Sequence, residues 1–88
     1  MKAEIRRKST RFYVTQSDYE DLNSNPNAIL VIQCSPNKNN HPKGTYRIPN
    51  NEARMFIKSK RGTHNWDNHE NFKQDSVPVG LEDYFSGQ

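Results

Sequence analysis

Ala28-Ile29-Leu30-Val31-Ile32-Gln33-Cys34 is the stretch that decides how this chain folds. Five apolar residues follow one another with no polar alternation until Gln33. A strand with one wet face alternates, whereas a strand buried on both faces reads as an unbroken apolar run. We therefore expect a central strand over 28–34. Downstream, Ser35 to Gly44 is rich in Asn, Pro and Lys and reads as a long turn carrying His41 at its tip. Thr45-Tyr46-Arg47-Ile48-Pro49 then alternates, with Tyr46 and Ile48 on one face. The two strands form a β-hairpin with an exposed tip.

Upstream, Asn23-Ser24-Asn25-Pro26-Asn27 breaks any regular element before the strand. Ahead of it a short helix is capped by Thr15 or Ser17. Both Thr15 to Asp18 and Ser17 to Glu20 have the spacing of a capping box, and Tyr19 and Leu22 share its inner face. Arg11 to Thr15 alternates as a strand, with Phe12 and Val14 facing one way and Tyr13 the other. Ala3 and Ile5 have the opposite parity. One straight strand from 3 to 14 would thus place its apolar pairs on different faces. Either a bulge lies near Lys8-Ser9-Thr10 or residues 1–8 form a separate basic arm.

Beyond the hairpin, Asn50 or Asn51 caps a second helix that runs to about Lys60. Ala53, Phe56, Ile57 and Lys60 define its inner face, and Gly62 closes it. After Gly62 the pattern fades. Trp66, Phe72, Val77 and Val79 are spaced like anchors of an irregular acidic tail over 62–88, and Gly80 to Phe85 fits one helical turn or an extended segment. The expectation is one α+β domain over 1–88. It has a small mixed or antiparallel sheet and two short helices, in the order strand, helix, strand, strand, helix. Its core centres on Ile29, Val31, Ile32, Phe56 and Ile57.

Composition agrees with a thin core. Only 31% of the residues are apolar, and Asn occurs eleven times. One cysteine, Cys34, is not a disulfide framework, so a reducing, cytoplasmic setting is expected, the host cytoplasm if the chain is phage-encoded. No apolar run reaches the length of a membrane span, and the basic start Met1-Lys2-Ala3-Glu4-Ile5-Arg6-Arg7-Lys8 lacks the apolar stretch of a signal peptide.

The net charge of +3 is unevenly placed. Residues 1–14 carry +4, 15–27 carry −3, 28–49 and 50–61 carry +3 each, and 62–88 carry −4. Such segregation points to an anionic partner for the basic parts, or to an acidic tail that folds back on them. Two basic clusters stand out. Arg6, Arg7, Lys8 and Arg11 precede Phe12 and Tyr13, and a basic arm beside an exposed ring grips nucleic acid by pairing phosphates and stacking bases. Tyr13 is the stacking candidate, since Phe12 faces inward. In the second helix Arg54, Lys58 and Arg61 fall at i, i+4 and i+7, with Lys60 nearby, on one stripe able to track phosphates. The plain alternative for each is a solvated surface.

Catalytic chemistry finds little support. His64-Asn65-Trp66-Asp67-Asn68-His69-Glu70 offers two imidazoles and two carboxylates, but no cysteine pair or third histidine at zinc spacing. Trp66 reads better as a core or interface anchor. Cys34 has no neighbouring base in sequence, and the four glycines are too scattered for a phosphate loop. We expect no metal, no cofactor and no enzymatic activity.

Glu4-Ile5-Arg6, Arg11 to Thr15, Tyr19 and Ala28 to Ile32, taken together, resemble the later half of a restriction-endonuclease-like domain of the PD-(D/E)XK superfamily. There a Glu-x-Lys strand precedes a strand, a helix and a second apolar strand. The resemblance covers residues 4–33. Arg6 stands where that family has its lysine, and arginine does not release a proton to activate water. The family's upstream metal-binding aspartate has no counterpart before Glu4. The resemblance therefore implies a nuclease-like fragment without the catalytic metal site.

The functional expectation is a small binding module that contacts DNA or RNA through the basic arm and the basic helix stripe. The alternative is a phage or mobile-element inhibitor that binds a nucleic-acid-processing host protein, such as a defence nuclease, in the manner of anti-CRISPR or anti-restriction proteins. Neither involves a membrane, and neither fixes an oligomeric state.

Overall fold

A computed structural model describes residues 3–38, 41–60 and 71–87. Its elements are β1 (Glu4–Ser9), β2 (Phe12–Thr15), α1 (Gln16–Ser24), β3 (Ile29–Cys34), β4 (Gly44–Ile48), α2 (Asn50–Lys60), β5 (Asn71–Gln74), a 3₁₀ turn (Glu82–Tyr84) and β6 (Phe85–Gly87). The protein is α+β. A mixed four-stranded sheet has the order β1-β3-β4-β6, and β2 pairs with β5 in a second, two-stranded sheet. β3 runs parallel to β1 and antiparallel to β4, so the apolar run is an inner strand of the larger sheet.

The parity break before Phe12 has a cause other than a bulge or a free arm. Residues 4–9 form a paired strand, and within Thr10 and Arg11 the chain leaves the larger sheet for the smaller one. Ile5 then points into the core from one sheet, and Phe12 and Val14 point into it from the other. The tail is also less irregular than its sequence reads. Asn71–Gln74 pairs antiparallel with β2, and Phe85–Gly87 extends the larger sheet beyond β4. Both readings offered for Gly80 to Phe85 are realised in turn, a 3₁₀ turn over Glu82–Tyr84 and then a strand from Phe85.

The first helix starts as its residues dictate. Thr15 accepts from the Asp18 N–H at 3.1 Å, and Asp18 accepts from the Thr15 N–H at 2.9 Å, which completes a capping box. Asp18 is 4% exposed and is also gripped from β1, where Arg7 donates Nε to Oδ2 at 2.9 Å and a terminal nitrogen to Oδ1 at 3.0 Å. This fork ties the first strand to the start of the first helix.

The second helix departs from expectation at its start. Asn50 does not cap its own helix. The Pro49 carbonyl accepts the Ala53 N–H, and the buried Asn50 amide turns away to donate to the carbonyls of Leu22, Asn25 and Ala28 at 3.0, 3.0 and 2.9 Å. Leu22 lies in the last turn of α1, and the residue four positions on is Pro26, which has no N–H to give. Asn50 supplies the missing donor.

The core lies between one face of the larger sheet, the two helices and the smaller sheet. Ile5, Leu30, Ile32, Tyr46 and Ile48 meet Leu22, Ala53, Ile57, Phe12, Val14 and Phe72 in one cluster. Phe12 makes edge-to-face contacts with Tyr46, Phe56 and Phe72 at centroid distances of 5.0, 5.3 and 6.1 Å. Of the expected centre, Val31, Ile32 and Ile57 are fully buried, whereas Ile29 and Phe56 are only partly so. Val79 is a correction of another kind. It is 90% exposed, because it sits in the turn before Gly80, whose φ of 95° only glycine adopts easily. Phe72 and Val77 do pack on the core, while Gly62 and Trp66 lie outside the described residues.

Candidate functional site

Strand alternation gives the larger sheet two unlike faces. Leu30, Ile32 and Cys34 enter the main cluster, Leu30 beside Ile5 and Ile48 and Ile32 beside Tyr46, but Val31, although fully buried, does not belong to that cluster. Val31 faces the other way, in a row that places Arg6 on one side and Arg47 on the other. The next row of that face is Lys8, Gln33, Thr45 and Ser86, and the row before it holds Glu4 and Ile29. No described element packs over this face. The strand is nonetheless buried on both faces at its centre, since Leu30, Val31 and Ile32 are all fully buried. The helices cover one face, and on the other the apolar stems of two arginines flank the valine while their charged ends reach solvent.

The described residues of this face are cationic. Arg6 and Arg47 side chains are each 59% exposed, and Lys8 is exposed as well. Glu4 is the one carboxylate among the described residues of these rows. It lies 2.7 Å from Arg6 and 4.0 Å from Arg47. Pairs so exposed contribute little to stability, but Glu4 holds the two guanidinium groups toward each other across the β3 strand. Adjoining the Lys8 row is a recess of about 330 Å³ between the end of β3 and the start of β4.

The sequence-predicted cations are sorted by this geometry. Arg6 and Lys8 stand on the open face. Arg7, between them in sequence, points to the opposite face and is bound to Asp18, whose hydrogen bond raises the pKa of the guanidinium against the opposing effect of burial. Arg11 pairs with Asp75 at 2.9 Å. Tyr13 is not an open stacking platform. Its half-buried ring lies between Arg7 at 5.0 Å and Lys73 at 5.6 Å. The four residues therefore do not act as one flexible arm.

The helix stripe is divided in the same way. Arg54 donates Nε to Asn50 Oδ1 at 2.7 Å, which orients it along the helix. Lys60 lies over the rings of Phe56 and Phe72 at 5.4 and 5.9 Å. Lys58 is exposed beside Tyr19, Asn51, Arg54 and Met55 around a shallow recess. Arg61, like Trp66 and the His64–His69 segment, lies outside the described residues.

Sequence reasoning missed Arg47, the third cation of the open face, because it stands alone in its segment. Only the strand register brings it opposite Val31 and level with Arg6. It also placed His41 at an exposed tip. His41 is 2% exposed, and its Nδ1 donates to the Pro42 carbonyl at 2.8 Å. Its Nε2 lies 2.6 Å from the Tyr46 hydroxyl, whose proton it accepts when the ring is neutral. Burial pushes the Tyr46 phenol far above its ordinary value, and a nearby Cys34 charge would add to the shift. Burial pushes the Cys34 thiol up to about 11, which makes it a poor nucleophile. Among the described residues, no three His, Cys, Asp or Glu side chains are grouped to hold a metal ion, and no helix is long and apolar enough to cross a membrane.

No family model matches the chain, and comparisons with curated proteins and with solved structures find no match.

Proposed function

We propose that the protein is a nucleic-acid-binding module that lays the open face of its larger sheet on a sugar–phosphate backbone. One observation carries this reading. Arg6, Lys8 and Arg47 share a sheet face that no described element covers, with a single described carboxylate, Glu4. Cations held by sheet register keep a fixed spacing, and this favours a polyanion with regularly spaced charges. The site differs from the expected arm and helix stripe, because Arg7 points to the opposite face and grips the buried Asp18, while Arg11 and Arg54 stand off this face beside Asp75 and Asn50.

The test is binding of single- and double-stranded oligonucleotides across a salt series. Affinity should fall linearly with log salt. Replacing both Arg6 and Arg47 with glutamine should reduce the slope by roughly 0.7–0.9 for each phosphate no longer neutralised, with the melting temperature unchanged within a few degrees. Lys58→Gln should change the slope little. A larger drop in affinity from Lys58→Gln than from the arginine pair would move the interface to α2.

A second reading rests on a different surface. Met55 is 64% exposed on α2, close to Val79, Phe56 and Leu81 around a recess of about 250 Å³. On its other side lie Arg54 and Lys58. An apolar anchor beside cations suits an acidic protein, as an inhibitor of a nucleic-acid-processing enzyme would require. Under this reading free nucleic acid binds weakly, and Met55→Lys abolishes capture of the partner while Arg6→Gln with Arg47→Gln does not.

A further inference from the structure

We propose that the recess at the end of the open face is a binding site for a phosphate monoester, and that in the nucleic-acid reading it receives the phosphorylated end of a strand. The proposal rests on that reading for its strand and on the recess itself for its phosphate. Lys8, Gln33 and Thr45 are successive members of one row across β1, β3 and β4. With Lys43 and Ser35 they line a space of about 330 Å³. Two ammonium groups, two hydroxyls and an amide all offer donors, and no carboxylate stands among the described lining residues.

The chemistry distinguishes an end from the middle of a strand. An internal phosphodiester carries one charge, and the chain must continue on both sides of it. A terminal monoester carries nearly two charges at neutral pH and has three free oxygens. Two lysines match that charge, and a recess at the mouth of a hairpin, unlike the flat rows beside it, suits a group at which the chain stops. The volume admits a phosphate with its attached sugar and excludes a duplex. The rim is held in place because Lys43 is followed by Gly44. A side chain at Gly44 would collide with the Ser86 carbonyl and the Phe85 ring, so β4 and β6 approach too closely for the rim to shift.

The experiment uses one single-stranded oligonucleotide in three forms, with a 5′-hydroxyl, a 5′-phosphate or a 3′-phosphate, read by fluorescence anisotropy. One phosphorylated form should bind about tenfold tighter than the hydroxyl form. In Lys43→Ala that advantage should vanish, while affinity for the hydroxyl form stays within about twofold. In parallel, inorganic phosphate and a nucleoside monophosphate are titrated against the ¹⁵N-labelled protein. Shifts should be confined to amides around Gln33 to Ser35 and Lys43 to Thr45. A free nucleotide binding as tightly as the phosphorylated strand would identify the small molecule as the source of the same phosphate. Three forms binding alike, with no amide shifts from phosphate or nucleotide, would overturn the recess and leave the open-face reading standing. If no oligonucleotide binds but the monophosphate shifts these amides, the open-face reading is overturned and the recess stands. Absence of both signals overturns both.

Discussion

Replacing Asn50 with alanine should remove a large part of the stability of this protein. The Asn50 amide donates to three carbonyls from a position that is 9% exposed. Asn25 O has a second partner in the Ala28 N–H, so it stays hydrogen-bonded in the variant. Leu22 O and Ala28 O are buried acceptors for which this amide is the donor, and leaving each unpaired costs about 1–3 kcal/mol. The sum, about 2–6 kcal/mol, compares with a total of roughly 5–10 kcal/mol for a domain of this size. The melting temperature should fall by at least about 8 °C, at about 4–8 °C per kcal/mol. Urea denaturation followed by circular dichroism measures the loss directly. Two further variants separate this bridging role from a helix cap. Asn50→Ser keeps a good capping residue yet cannot reach the three carbonyls, so it should cost nearly as much as alanine. Asn50→Asp keeps an acceptor for Arg54 but presents a carboxylate to carbonyl oxygens, and should cost at least as much. A loss under about 1 kcal/mol in Asn50→Ala, or near-complete recovery in Asn50→Ser, would refute the reasoning.

Two other expectations follow from burial and close packing. The folded Cys34 thiol titrates near 11 against an ordinary 9.0, so the folded state keeps a proton that the unfolded chain releases. Stability should therefore be fully present below pH 9 and decline by on the order of 2 kcal/mol as pH rises to about 11, and the buried Tyr46 phenol adds to the decline in the same direction. Thermal melts from pH 8 to 11 should show a shallower decline in Cys34→Ala, and an identical slope would count against this assignment. Gly44→Ala forces β4 away from β6 and should cost about 1–3 kcal/mol. Hydrogen exchange should quicken first at Phe85 and Ser86, and unchanged exchange there would show that the approach of the strands is not tight.

Legibility of the fold followed the range of the interactions. The capping box of Thr15 and Asp18, the hairpin of β3 and β4 and the inward pairs Phe12–Val14 and Tyr46–Ile48 all rest on residues within a few positions of each other, and their spacing reveals them. The transfer of the chain between sheets at Thr10–Arg11 left only a parity conflict, because its resolution depends on Asn71–Gln74 arriving beside β2 from far along the chain. Asn50 looked like a cap because Asn before a helix usually is one, and its true partners belong to another helix end and a strand start. The candidate site was half visible. Arg6 and Lys8 stood in a basic run, but the run concealed that alternate residues face opposite sides of a sheet. Arg47 carried no local mark at all.

The small sheet also bears on how fast the molecule forms. Val14 lies opposite Phe72, so β2 waits for its partner until both helices and the hairpin have been threaded between them. Closing so long a loop costs entropy before the pairing repays it, and chains dominated by such pairings fold in milliseconds to seconds where helical bundles take microseconds. Until β2 and β5 meet, Phe12 and Val14 on one segment and Phe72 on the other remain as unmatched apolar ribbon edges. Such edges are adhesive, and the β2–β5 pairing removes them from the reach of neighbouring chains.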